Sequence, residues 1–239
     1  MRPGELSGTG WFLALVFAGF ALSAAGCTAP PPPPPEPQDK LDALLVGAVE
    51  ANKADVVPGL LARGANPNAV PRSGATPLVV AIGQRDRPTV EALLAGGADV
   101  NLRQDGFPDG LTPLYVAAAT NQPDIMNQMI ARGARVNDRT GVLATGTTAL
   151  ERAAADGHTT PVVALLLNGA TITPRALALA IEADHTEVVE RLLEAGADPR
   201  WTLYGGVTVL EAARKTSPPV RAKMISAVQK ALGPPGGGR

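Results

Sequence analysis

A leucine, an alanine three residues later and a Gly-Ala pair nineteen residues later recur five times along this 239-residue chain. The leucines are Leu45, Leu78, Leu114, Leu150 and Leu177; the alanines are Ala48, Ala81, Ala117, Ala153 and Ala180; the glycines are Gly64, Gly97, Gly133, Gly169 and Gly196. Self-similarity at a fixed period of this size means stacked units, none of which can bury its apolar face alone. Successive leading leucines stand 33 (45 to 78), 36 (78 to 114), 36 (114 to 150), 27 (150 to 177) and 33 (177 to Leu210) residues apart. The constant Leu-to-Gly core is therefore expected to be the folded unit. The variable remainder is the connection, where changes in length cost least.

Each core reads as two short helices. Thr76-Pro77-Leu78 and Thr112-Pro113-Leu114 begin the first helix with a hydroxyl for an orphan N–H and a proline with no N–H to lose. Thr148 and Thr208 keep the cap without the proline, and Thr173-Pro174 begins its helix a little earlier. The leucine and the alanine three residues on share one face. A turn follows through a residue that tolerates positive φ, namely Asn52, Asn121, Gly157 or Asp184, with Arg85 the exception. Apolar residues 12, 15 and 16 after the leading leucine, such as Val162, Leu165 and Leu166, form the inward stripe of a second helix. The recurring glycine stops it. Aromatics make up 3% of the chain, so the core is Ala, Leu and Val, which suits closely approaching helices.

These motifs resemble the ankyrin repeat, over about Asp39 to Leu232. The resemblance rests on TPL at Thr76 and Thr112, VVALLLNGA at Val162 to Ala170, VVERLLEAGADP at Val188 to Pro199 and GADVN at Gly97 to Asn101. It implies an all-α solenoid of about six stacked helix-turn-helix units, both caps included, with short β-hairpin or loop fingers at the connections. The His that the family places after TPL is absent; Val79, Tyr115, Glu151, Ala178 and Glu211 stand there. A buried hydrogen bond between neighbouring repeats is expected to go missing with it. Asp39 to Val70 is expected to be the N-terminal cap. Val207 to Leu232 is expected to be the C-terminal cap, with Arg221, Lys223, Gln229 and Lys230 on its outer helix. Residues 233–239 read as a disordered tail.

The N-terminus reads as an export signal over residues 1–26. Arg2 supplies the positive end, Trp11 to Leu22 the apolar run, and Ser23, Ala24, Ala25 and Gly26 the small residues. The run is shorter than the roughly 20 residues of a membrane span. Leu22-Ser-Ala-Ala-Gly-Cys27 resembles the lipobox of bacterial lipoproteins, and Cys27 is the one cysteine in the chain. The resemblance implies cleavage before Cys27 and lipidation of its thiol, which would tether the protein to a membrane. Thr28 stands where an Asp would mark inner-membrane retention, so the outer membrane, facing the periplasm, is the expected address. An ordinary secretory signal leaving a free thiol, and an uncleaved anchor, are the competing readings. Residues 27–38 include the run APPPPPPEPQ (29–38), whose prolines favour extended polyproline II at about 3.1 Å per residue. That composition suits a spacer.

Function classes narrow accordingly. A net charge of −1 with no basic run gives no support to nucleic-acid binding. No glycine-rich loop follows a strand, so no nucleotide site is expected, and no cofactor. The two histidines, His158 and His185, share one slot, eight residues after a leading leucine. Stacked helices sit about 8–10 Å apart, too far for both rings to reach about 2 Å from one zinc ion. The expectation is a non-enzymatic, monomeric protein-binding module. Its partner is either a housekeeping envelope protein or a toxin that this chain neutralises as an immunity protein. A metal-binding or enzymatic protein using His158 and His185 is the reading from another class.

Two connections are lengthened, Asn101 to Gly110 and Asn137 to Gly146, and the one before Thr173 is cut short, leaving no full finger. Phe107 lies at the tip of the first, as a candidate anchor or folded back on Tyr115. Trp201 and Tyr204 in the last connection are expected to cover the edge of the terminal core. Ankyrin repeats bind through the fingers and the exposed ends of the first helices. By position, the resemblance points to Gln84, Arg103, Gln104, Asp105, Phe107, Tyr115, Thr120, Arg139 and Asp156.

Overall fold

A computed structural model of the protein describes residues 37–71, 74–103, 110–140 and 146–233. The signal-like segment, Cys27 and nearly all of the Pro-rich run lie outside them, as do Gln104, Asp105, Phe107 and residues 234–239. The described residues form six helix pairs. They are α1 (Gln38–Glu50) with α2 (Val57–Ala62), α3 (Pro77–Gln84) with α4 (Arg87–Ala95), and α5 (Pro113–Ala119) with α6 (Pro123–Ala131). Then follow α7 (Ala149–Ala155) with α8 (Thr159–Leu167), α9 (Pro174–Glu182) with α10 (Thr186–Glu194), and α11 (Val209–Lys215) with α12 (Pro218–Leu232). First helices stack in chain order, α1 on α3 through to α9 on α11; α2 packs on α4, and α6, α8, α10 and α12 follow one another. Among the described residues, strand pairing is confined to two isolated antiparallel bridges, Arg139 with Thr148 and Thr202 with Thr208. None of the described helices is long and apolar enough to cross a membrane.

The repeat frame maps onto this stack. Leu45, Leu78, Leu114, Leu150 and Leu177 are buried in one continuous core with their partner alanines. The small alanine lets the first helices approach, and the leucine fills the space between pairs. Truncating one such leucine to alanine would cost about 2–5 kcal/mol. Thr76, Thr112, Thr148, Thr173 and Thr208 each accept the backbone N–H three residues on. At Thr148 and Thr208 a glutamate returns the bond, closing a capping box.

Both turns of a unit close the same way. Lys53, Asp86, Gln122, His158 and His185 donate their N–H to the carbonyls of the five frame alanines, five residues back. Ala65, Ala98, Ala134, Ala170 and Ala197 donate likewise at the ends of the second helices, to the carbonyls of Leu60, Leu93, Met129, Leu165 and Leu192, also five residues back. Such six-to-one bonds require a left-handed residue just before the donor. Asn52, Asn121, Gly157 and Asp184 supply it in the first set, and the recurring glycines in the second. Arg85 adopts the same conformation, φ 59°, although its side chain disfavours it.

Neighbouring repeats are sewn together by a residue four positions after the capping glycine. Asn101 donates from Nδ2 to the Gly133 carbonyl (3.0 Å) and accepts the Arg135 N–H (2.9 Å). Asn68 does the same to Gly97 and Asp99, and Asn137 to Gly169 and Thr171. Gln38 and Asp42 of α1 play this part for the first unit, bonding Gly64 and Asn66. At the short junction the equivalent residue is Thr173, which is already the cap of α9, and the series stops there.

The end pairs differ. The outer helix α12 buries Met224 and Val228 and leaves Arg221, Lys223, Gln229 and Lys230 exposed. The face of α1–α2 leaves Leu44 and Val56 exposed, more apolar than expected of a cap.

Candidate interaction cleft

The interrupted series opens a cleft. On one side stands the connection that carries the Arg139–Thr148 bridge, and on the other the connection that carries the Thr202–Thr208 bridge. Between them the chain passes from Ala170 straight into α9. The resulting space is about 750 Å³ and is lined by Arg139, Glu151, Thr173, Pro174, Arg175, Leu179, Thr202, Leu203 and Tyr204.

Glu151 forms its floor, with a side chain only 1% exposed. One carboxylate oxygen accepts the Thr148 N–H (3.2 Å), and the other accepts the hydroxyl of Thr173 in the next repeat (2.8 Å). The expected loss of a tie between repeats at this position is therefore corrected. Glu151 stands in the missing histidine's place and makes a bond of its own to the next unit. Two guanidinium groups compensate its charge, Arg139 Nη2 at 3.6 Å and Arg175 Nη1 at 3.8 Å. Both also donate to the Gly146 carbonyl, and Arg175 donates to the Thr147 hydroxyl. The arginine side chains remain 41% and 30% exposed.

Tyr204 was expected to cover the core and instead projects into solvent, 67% exposed. It opens a short 3₁₀ turn, Tyr204–Gly206, which contains Gly205 at φ 71° and turns the ring outward. Its neighbour Trp201 does pack on the core. Cationic, aromatic and aliphatic groups thus share one concave surface, the composition of interface hot spots.

The other residues singled out by position are scattered along the array. Gln84 is exposed, and its amide donates to the Glu50 carbonyl of the preceding unit (3.1 Å). Thr120 donates to the Val116 carbonyl and accepts from Gln122. Tyr115 lies 6.0 Å from the Arg152 guanidinium, which also pairs with Asp156 (2.6 Å). Arg103 approaches Asp138 (3.5 Å) together with Arg135. Among the described residues of that set, Arg139 alone lines the cleft. Arg175, Glu151 and Tyr204 were not among those residues. The signal for the cleft was the short 150-to-177 interval, read only as a lost finger.

His158 and His185 are interlocking residues. His158 Nδ1 lies 3.0 Å from the Ala118 carbonyl, and His185 Nε2 lies 3.1 Å from the Ala155 carbonyl. A carbonyl can only accept, so each of these nitrogens carries the proton. Gln122 in the same slot donates to the Ile82 carbonyl (2.7 Å). Each of the three therefore satisfies a helix-end carbonyl of the preceding unit. Among the described residues, no three His, Cys, Asp or Glu side chains come together as metal ligands would.

Comparison with known proteins agrees with this architecture. A family model for ankyrin repeats (3 copies) matches residues 45–140 and 89–176, and a single ankyrin-repeat model matches 173–202. The mitochondrial disaggregase of Homo sapiens is 46% identical over 69 residues, covering 29% of this chain and 10% of that protein. The Bos taurus mitochondrial disaggregase is 47% identical over 64 residues, or 27% and 10% respectively. The chain thus spans about a tenth of the length of these relatives. Ankyrin repeats generally serve as non-enzymatic modules for binding other proteins, and no enzyme family is indicated. Given the recurring frame, the stacked pairs and matches across residues 45–202, the chain belongs to the ankyrin-repeat family.

Proposed function

We propose that this chain is a protein-binding module of the bacterial envelope, anchored by lipid on Cys27 and held off the membrane by the run 29–38. The observation that carries the binding role is the cleft beside α9, where two arginines and an exposed tyrosine meet apolar walls. The address rests on the apolar run Trp11 to Leu22 ending in Leu22-Ser-Ala-Ala-Gly-Cys27. With no second cysteine, the chain cannot form an internal disulfide in an oxidising compartment. Two or more acyl chains anchor stably where one does not.

Two experiments test this. Cells making the full chain are labelled with radioactive palmitate and fractionated beside a Cys27→Ser variant. Label on the wild type, absent from the variant together with its membrane association, is the expected result. Equal membrane association of both would remove the lipid anchor. Separately, the full chain is used as bait for envelope extract, beside a Tyr204→Ala variant. A discrete protein retained by the wild type and weakened on the variant supports the binding role.

A further inference from the structure

We infer that the cleft between the two fingers takes an extended segment of a partner protein that carries a carboxylate side chain next to an apolar one. The partner thereby occupies the place of the finger this junction lacks. The inference rests on the protein-binding reading and deepens it.

Three features of the cleft define the occupant. The first is shape. The space is bounded on both sides by connections that carry a backbone bridge, and its floor is the short path into α9. The space is about 750 Å³ in volume, and an extended chain laid in it turns successive side chains to opposite walls. The second is charge. The lining side chains include two guanidinium groups, Arg139 and Arg175, and one carboxylate, Glu151. Glu151 is buried, and its oxygens accept from Thr148 and Thr173. The lining is therefore cationic by one unit, and planar guanidinium groups match a carboxylate in geometry. The third is polarity. Pro174, Leu179, Leu203 and the exposed Tyr204 ring supply an apolar wall beside the arginines. A phosphate backbone has no use for such a wall, whereas a peptide with alternating acidic and apolar side chains uses both surfaces.

The test is a selection of random twelve-residue displayed peptides on the full chain. Selected sequences are then synthesised with a fluorophore and titrated by anisotropy. Binders should be enriched in Asp or Glu adjacent to an aliphatic or aromatic residue. Changing that acid to its amide should weaken binding about ten- to a hundredfold, the loss of a charge-assisted contact. A change on the peptide cannot disturb the fold of the array. The doubly substituted Arg139→Gln, Arg175→Gln chain should lose a similar factor, and Tyr204→Ala, at an exposed ring, should also weaken binding. Leu44→Ser, on the opposite end pair, should leave it unchanged. Binders without acid enrichment, or equally tight on the double arginine variant, overturn the inference while leaving the binding role intact. The same holds if no peptide binds although the bait above captures a protein. Failure of both the selection and the bait removes the binding reading as well. Tight binding of a fluorescent oligothymidine at the arginines would reassign the cleft to phosphate and likewise overturn the inference.

Discussion

Gly157 sits where two requirements meet, and Gly157→Ala should be among the most damaging single-methyl changes in the array. Its φ is 72°, in the region a side chain disfavours. A Cβ there would also stand 2.6 Å from Cε1 and Nδ1 of His185 and 2.8 Å from its Nε2. Those contacts are with a ring held by its bond to the Ala155 carbonyl. The left-handed term is about 1–2 kcal/mol. Displacing the ring adds the net loss of one hydrogen bond, about 0.5–1.5 kcal/mol. The sum is about 1.5–3.5 kcal/mol, measurable by urea denaturation, with the fluorescence of Trp201 and far-ultraviolet circular dichroism as separate probes. The decisive comparison is a double-mutant cycle with His185→Ala. In that background no ring remains to collide with, so Gly157→Ala should cost only the backbone term, and the two changes should couple by about 1 kcal/mol. Equal costs in both backgrounds would show that the ring does not pack on Gly157 and would refute the account of this junction.

Four further outcomes follow from other junctions. Arg85→Asn should raise stability by about 0.5–1 kcal/mol in the same denaturation assay, because Asn accepts the left-handed conformation that Asn52 and Asn121 already hold. Asn101→Ala, which removes the donor to Gly133 and the acceptor for Arg135, should cost about 1–2 kcal/mol and speed amide exchange at Arg135. Glu151→Ala should cost about 2–4 kcal/mol by chemical denaturation, since it opens a capping box and leaves two half-buried guanidinium groups without their carboxylate. The last two units should contribute to acid sensitivity. Hydrogen bonds from the Ser217 side chain and backbone hold Asp184 below its ordinary value, and bonds from the Thr208 backbone and side chain lower Glu211. Stability from these groups is complete above the ordinary carboxylate range near pH 4 and is lost as pH falls through the lowered values, so Asp184→Asn should flatten thermal unfolding profiles below about pH 4.

Much of the fold was legible because its signals are local. A threonine cap, a left-handed turn residue and a capping glycine each act within one helix end, and five copies fix their register. Arg85 shows the limit of residue type alone, since the six-to-one bond of its turn imposes the conformation that its side chain disfavours. Bonds between units were harder to read. Asn68, Asn101 and Asn137 sit four residues after a capping glycine, a visible pattern whose partners lie 29 to 34 residues away. Glu151 could be seen to replace a family histidine. Its burial beneath Arg139 and Arg175 depends on the finger lost between them, which is a tertiary consequence of one short interval. Tyr204 is exposed for a related reason. Trp201, three residues earlier, covers the core, and the turn through Gly205 sends Tyr204 outward.

If the chain binds its partner as proposed, that partner lies in the cleft beside α9. Photo-crosslinking in the native cells tests it most directly, with a photoreactive phenylalanine analogue replacing Tyr204 in the full chain. The control replaces Leu167, an 82% exposed residue outside the cleft. A discrete adduct of partner and chain is expected from position 204, absent from position 167. An adduct from position 167 with none from 204 would contradict it.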